Sequence, residues 1–388
     1  QGGSGNLKRS VAIGYQVLQS TAGNDVDGAI GIGYQALNDV TSGDHNIAVG
    51  YQAGDGITTT AGTISIGAAA LGGITTTGDY TIAIGYGAMG GAEIGDGNIA
   101  IGYQSLNNAN SAGLHRNIAI GYQTMANVGS NGPDDNVAIG YQAFKDLTTA
   151  NSSTAVGSYA GYSITTGTEN TALGYASLYH NVTGNYNTAI GRGAGARFLN
   201  ANSTALGYYA GHYASGSQNT FVGSEAGKGG TTSAPFSSGQ YNTAVGYQAL
   251  VAFTTGEQNV AIGRQAGIAI TSGDDNIVIG KSVATNLTTG TNNIAIGEDA
   301  LDLENSGTYQ LAIGYRAGYK NRISSTSYNT FTGASAGREN TSGNNNTYVG
   351  HGAGYGVDAG HGDNNTAVGR YAIFNILGDN TTAVGYNA

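Results

Sequence analysis

A pentapeptide ending in glycine, NIAVG at Asn46–Gly50 and NTAVG at Asn242–Gly246, returns in varied form along the whole chain. Its final glycine falls at Gly14, Gly33, Gly50, Gly67 and onward to Gly369 and Gly385. That makes 22 copies, most often 17 residues apart and between 16 and 23 at the extremes. Self-similarity at this period means one supersecondary unit per copy, each too small to bury a core alone, so the copies must stack.

Columns read through the copies predict the shape of the unit. The residue before the anchor glycine is Ile, Val or Leu in 21 of 22 copies, Thr332 being the exception, and the residue three before is Ile, Val or Leu in 12 and Thr in 10. By the period-2 rule these two share one face of a strand, and their hydrophobicity predicts that this face points into a core. The other face carries Ala two before the anchor in 16 copies and Asn four before it in 14. The anchor glycine suits positive φ or a close backbone approach. An Ala three after the anchor in 17 copies, followed by Gly or a large apolar residue, reads as a second short inward-facing strand, and a further Gly seven before the anchor in 14 copies marks the other turn.

The expected fold is all-β: a parallel β-solenoid, or β-roll, of about 22 coils of mostly 17 residues, each with two short strands and two turns. Residues 1–9 read as a lead-in, 10–388 as one tandem-repeat solenoid, and 228–240 as a longer loop within it. Stacking at about 4.8 Å per coil predicts a rod roughly 105 Å long. The Asn column, including Asn46, Asn98, Asn117, Asn136, Asn187, Asn242 and Asn276, is expected to form a structural ladder of amide hydrogen bonds.

Composition narrows the function. With 68 Gly but only 2 Pro the chain is not collagen, and its net charge of −10, with 14 scattered basic residues, argues against nucleic acid or an anionic membrane as partner. There is no Cys, hence no disulfide framework and no thiolate site. No run of 18 apolar residues occurs, so no membrane insertion is expected. A leader at Gln1 is not evident; one could already have been cleaved.

The motif N-[TI]-A-[IV]-G followed by an Ala-containing segment resembles the head repeats of YadA-like trimeric autotransporter adhesins, and also the GYQAL-type repeats of phage tail-fibre proteins. The resemblance spans about Asn6 to Ala388. It implies a left-handed β-roll, three chains around one axis, an extracellular, cell-surface or virion location, and a role in attachment. The 17-residue period is longer than that of the adhesin heads, and no coiled-coil stalk or anchor barrel accompanies it.

Candidate sites are few. Tyr follows the anchor in 12 copies, but Arg192, Arg264, Lys281, Glu298 and Arg370 also stand there, so the position is exposed. Tyr15, Tyr34, Tyr51, Tyr86, Tyr103, Tyr122 and Tyr141, beside Gln16, Gln35, Gln52, Gln104, Gln123 and Gln142, form a candidate contact surface for a glycan or protein receptor, or else pack ring on ring to stabilise the rod. Lys228 and Phe236 lie in the longest insertion, where a loop could carry recognition or be merely tolerated. Gly85, Gly87 and Gly90 match GxGxxG without a following helix, and six histidines (His45, His115, His180, His212, His351, His361) form no column. The acidic turns Asp134–Asn136 and Asp274–Asn276 lack Ca²⁺-repeat spacing. N-x-[ST] sequons occur at Asn151, Asn181, Asn202, Asn286, Asn340, Asn345, Asn364 and Asn380.

These observations point to a non-enzymatic fibre segment with no cofactor and no metal, its partner being itself. Alternatives are a filament of end-to-end solenoids and, further off, an ice-binding face built from the Thr blocks. The first anchor lies fourteen residues from Gln1 and the last lies three before the end, so joined chains would keep the spacing at 3 + 14 = 17.

Overall fold

The computed structural model describes residues 7–20, 25–73, 76–91, 93–107, 113–129, 132–230, 232–234, 236–322, 326–356, 362–374 and 378–388. It divides into two compact units, 1–192 and 193–388. Each is an all-β stack without helix among the described residues. The main ladder of the first unit holds eleven three-residue strands, from Val11–Ile13 to Thr188–Ile190, and that of the second another eleven, from Thr204–Leu206 to Thr382–Val384. Neighbours pair in parallel and in register, Ile99 on Ile118, Ala100 on Ala119 and Ile101 on Ile120 being typical. Coils are named below by their anchor glycine. Two-residue strands pair Leu7–Lys8 with Val26–Asp27, inside the expected lead-in, and Thr76–Thr77 with Glu93–Ile94.

The faces of the main strands are the reverse of the expectation. The central Ala is fully buried in coil after coil, as at Ala48, Ala119, Ala205 and Ala312, and so is the Asn column. The Ile, Val and Leu residues on either side are half-buried or exposed: Ile66 is 38% accessible, Leu173 43% and Leu206 44%. Size decides this rather than hydropathy. The interior is filled from the opposite wall, where one or two large residues per coil reach across: Leu37, Met89, Leu106 and Phe144 four after the anchor, or Ile57, Ile164 and Phe198 seven after it. Where the central Ala becomes aromatic, the position six residues on becomes Gly, as in Phe221 with Gly227, Phe331 with Gly337 and Tyr348 with Gly354. A methyl group on Gly227 would sit 2.1 Å from the Phe221 ring. Close-packed interiors conserve volume in this way.

The segment after the anchor is not a second strand. Residues two and four after it carry positive φ, for example Gln52 at 51°, Gly54 at 59°, Gln104 at 48° and Leu106 at 51°, and so does the residue five before, such as His45 at 59°. Alternating hand turns successive peptides in opposite directions along the stack. Gln52 N–H therefore donates back to Tyr34 O at 2.8 Å, and Gly54 N–H donates forward to Ala70 O at 2.8 Å. Fifty of the described non-glycine residues hold this left-handed conformation. Each costs on the order of 1 kcal/mol, so intercoil hydrogen bonds must offset the strain. The choice of Gly or a large apolar residue at the fourth position follows: the conformation favours Gly, and the core needs bulk when its neighbours are small.

The Asn ladder is built as expected. Asn276 Nδ2 donates to Asn259 Oδ1 at 3.0 Å and to Gly290 O at 2.8 Å, while its Oδ1 accepts the Asn293 backbone N–H at 3.1 Å. Asn276→Ala strands a buried carbonyl and a buried N–H in adjacent coils. We expect a loss of about 2 kcal/mol or more, read by chemical denaturation together with hydrogen exchange that opens the Gly263, Gly280 and Gly297 coils first. Unchanged protection there would contradict a structural ladder.

Candidate interaction surface

The outward face follows from the strand alternation. On each coil four columns point outward: the residue five before the anchor, the two aliphatic or Thr residues of the strand, and the residue after the anchor. From Gly14 to Gly140 both strand columns are aliphatic, Ile82, Ile84, Ile99 and Ile101 among them. With each side chain partly exposed, two such columns over these eight coils present on the order of 1,000 Å² of apolar surface. The largest patch on a typical monomer is about 300–600 Å².

Tyrosines line one rim of this strip in the first unit. Tyr15, Tyr34, Tyr51, Tyr86, Tyr103, Tyr122 and Tyr141 are all exposed, Tyr15 by 65%. They are also stacked: Tyr15 on Tyr34 at 5.6 Å, Tyr34 on Tyr51 at 5.2 Å, and Tyr86, Tyr103, Tyr122 and Tyr141 in sequence at 5.4, 5.1 and 5.1 Å. The ring-on-ring packing is present, with one ring face on its neighbour while the edges stay in solvent. The glutamines beside them are tied to one another, Gln35 Nε2 to Gln16 Oε1 at 2.8 Å and Gln142 Nε2 to Gln123 Oε1 at 2.9 Å, which leaves each amide less free to meet a ligand. The other rim carries exposed tyrosines that the column reading overlooked: Tyr80, Tyr186, Tyr241, Tyr309 and Tyr328. Their signal was the fixed place five before the anchor.

In the second unit the rim mixes tyrosines, among them Tyr208, Tyr247 and Tyr315, with charged residues. Lys281 pairs with Glu298 at 2.5 Å, and Arg370 lies over Tyr371. Lys228 is held by Glu225 at 2.9 Å, and Phe236 is half-buried under the Arg197 guanidinium at 4.3 Å, so neither stands free from the long insertion. Thr231 and Pro235 of that loop, and His361, lie outside the described residues.

The remaining motifs are absorbed by the stack. Gly85 is an anchor whose added methyl group would lie 2.4 Å from Gly102 O, and among the described residues no helix follows Gly90. Asp134 and Asp274 accept backbone N–H groups of the preceding coil, from His115 at 2.7 Å and Glu257 at 2.8 Å. Arg116 donates to Asp135 at 2.7 Å and holds that carboxyl below the usual range. Of the sequons, Asn181 and Asn340 are fully buried and bond Gly184 and Gly343, whereas Asn151, Asn202, Asn345, Asn364 and Asn380 are exposed. Among the described residues no three His, Asp or Glu side chains come together as a metal site. No family model matches the chain, and no curated protein matches its sequence.

One buried charge departs from the pattern. Glu304 stands seven after its anchor, where other coils place Ile57, Leu147, Ile270 or Leu287, and it is fully buried. Its Oε1 accepts the backbone N–H groups of Asn305, Ser306 and Gly307 at 2.9, 3.2 and 2.7 Å, and Oε2 accepts from Gln310 Nε2 at 2.8 Å. Gln310 itself replaces the ladder Asn and accepts a hydrogen bond from Asn321. Two column violations six residues apart were the sequence signal for this network.

Burial pushes the Glu304 carboxyl above its ordinary value of 4.5, the four donors opposing that shift only in part. The folded chain then binds this proton more tightly than the unfolded chain does. Its contribution is present below about pH 4.5 and is withdrawn as pH rises through the raised folded value. Thermal melts between pH 4 and 8 should show this decline in the wild type and a flatter profile in Glu304→Gln. Glu304→Ala, which orphans three N–H groups, should cost about 2–4 kcal/mol throughout. Identical profiles for wild type and Glu304→Gln would contradict the assignment.

Proposed function

We propose that this chain is a non-enzymatic structural fibre segment outside the cell, in which identical copies, most simply three around one axis, cover one another's outward strand faces, and which serves attachment. The observation that carries this reading is the apolar strip. Ile, Val and Leu stand outward in successive coils, rimmed by tyrosines and charges, which is the anatomy of an interface with an apolar centre and a polar rim. Its area matches the roughly 800 Å² per partner of a stable interface. A parallel stack puts one rim of each copy against the opposite rim of the next, the head-to-tail arrangement that closes into a ring. Asp275 and Lys281 occupy the opposite rims of a single coil, a placement that suits this closure.

The test is mass in solution. Light scattering should give about three times the 38.9 kDa chain mass. The pair of changes Ile262→Asp and Ile277→Asp, both on the outward strip, should yield single chains with an unchanged β-rich circular dichroism spectrum. A wild type that is folded and monomeric at micromolar concentration would overturn the proposal.

A second reading, ice binding, is favoured by one observation: the Thr residues of the strand, such as Thr154, Thr171 and Thr188, lie on the outward side in consecutive paired strands. Measurable thermal hysteresis of the wild type would support it, and its absence would leave the fibre reading alone.

A further inference from the structure

A hollow of about 560 Å³ opens on the second unit. Asn286, Thr288, Leu303, Asn305, Ser306 and Arg322 line it. With Ala269, these residues fall six to nine positions after the anchors Gly263, Gly280, Gly297 and Gly314, so one corner of four successive coils builds it. The buried Glu304 shapes its wall: by taking the Asn305 and Ser306 backbone N–H groups inward at 2.9 and 3.2 Å it folds that turn, and the two side chains line the hollow. No other described coil has a carboxylate at that place.

The chemistry of the lining is specific. Leu303 offers an apolar patch; Asn286 Nδ2 donates to Asp302 O at 2.7 Å and Thr288 Oγ1 to Asn305 Oδ1 at 2.5 Å, which leaves Asn286 Oδ1, Asn305 Nδ2 and the Ser306 hydroxyl as the acceptor and donors for a ligand. Arg322 is exposed, and among the described residues no carboxylate pairs with it. Its neighbours in the next columns are engaged, Arg316 with Asp299 at 3.1 Å, Lys320 with Glu339 at 2.6 Å, and Arg338 over Tyr355 at 5.3 Å. Two other acids stand close in sequence. Asp302 is bonded to Thr285 with its carboxyl pushed up by burial, and Glu304 points into the core.

The geometry points to a binding site for an acidic oligosaccharide. A sugar ring lies with its C–H face on Leu303, its hydroxyls meet the amide and hydroxyl groups, and a uronate or sialate carboxylate takes the Arg322 fork. This rests on the attachment reading and names the class of ligand the fibre would hold. No covalent step is involved.

Saturation-transfer NMR and titration calorimetry on the full chain test it, with trigalacturonate and 3′-sialyllactose as acidic probes and maltotriose and lactose as neutral ones. At least one acidic probe should bind, and its neutral counterpart should bind about tenfold more weakly or not at all. Arg322→Ala should weaken the acidic probe about tenfold or more, Arg322→Lys less, and Ser306→Trp, which fills the hollow, should abolish binding. Arg370→Ala, on the strand rim, should leave it unchanged. Failure of both acidic probes overturns the inference, as does equal weakening by Arg322→Ala and Arg370→Ala, which would signal diffuse charge. The outcomes separate from those of the fibre reading: an oligomer that ignores acidic sugars overturns the site alone, and a monomer that binds them overturns the fibre alone.

Discussion

A close backbone approach between anchor glycines recurs from coil to coil, and the rest of the structure depends on it. A Cβ on Gly33 would lie 2.2 Å from Gly50 O, and one on Gly263 would lie 2.2 Å from Gly280 O, with φ at 133° and 129°. No other residue fits such a contact. Because the backbone passes this near to its own copy, each column superposes on itself at the strand spacing. In-register stacking then turns single residues into continuous ladders of Asn, Gln and Tyr, and a modest hydrogen bond or ring contact per coil becomes a property of the whole unit.

The same closeness makes each coil narrow. A narrow interior cannot take bulk from both walls, so Ala lines one side while Leu, Met or Phe reaches across from the other, and an aromatic residue is admitted on the Ala side only with Gly six residues on, as at Phe221 and Gly227. Polar intrusions must be fully bonded to survive there. Glu304, with four donors around its carboxylate, meets that condition, and the turn it folds is the one that walls the hollow beside Arg322. A local exception in the core thus produces a feature on the surface.

What the narrow core excludes, the outer face must carry. Ile and Val have the β-branched shape that suits a pleated strand, and with the interior closed to them they stand outward in rows. A row of this kind differs from scattered surface hydrophobes because it is continuous over many coils and, in the first unit, edged on one side by tyrosines. The scaffold that holds each chain together therefore also supplies the surface for holding chains to one another.

The repeat length, the parallel in-register stack, the Asn ladder and the exposed tyrosines after the anchor were legible in the sequence, because each is a statement about one column and columns are read directly. Three things were decided only by the tertiary structure. Which face of the strand points inward was misjudged, since both faces are free of charge and the choice turns on the volume available across the coil, which no single column reports. The supposed second strand became a run of alternating handedness, because the peptides there must bond both to the coil before and to the coil after. The hollow depends on residues from four coils meeting at one corner, about 17 residues apart in sequence and about 5 Å apart in space. Periodicity is a property of the chain, whereas inside and outside are properties of the stack.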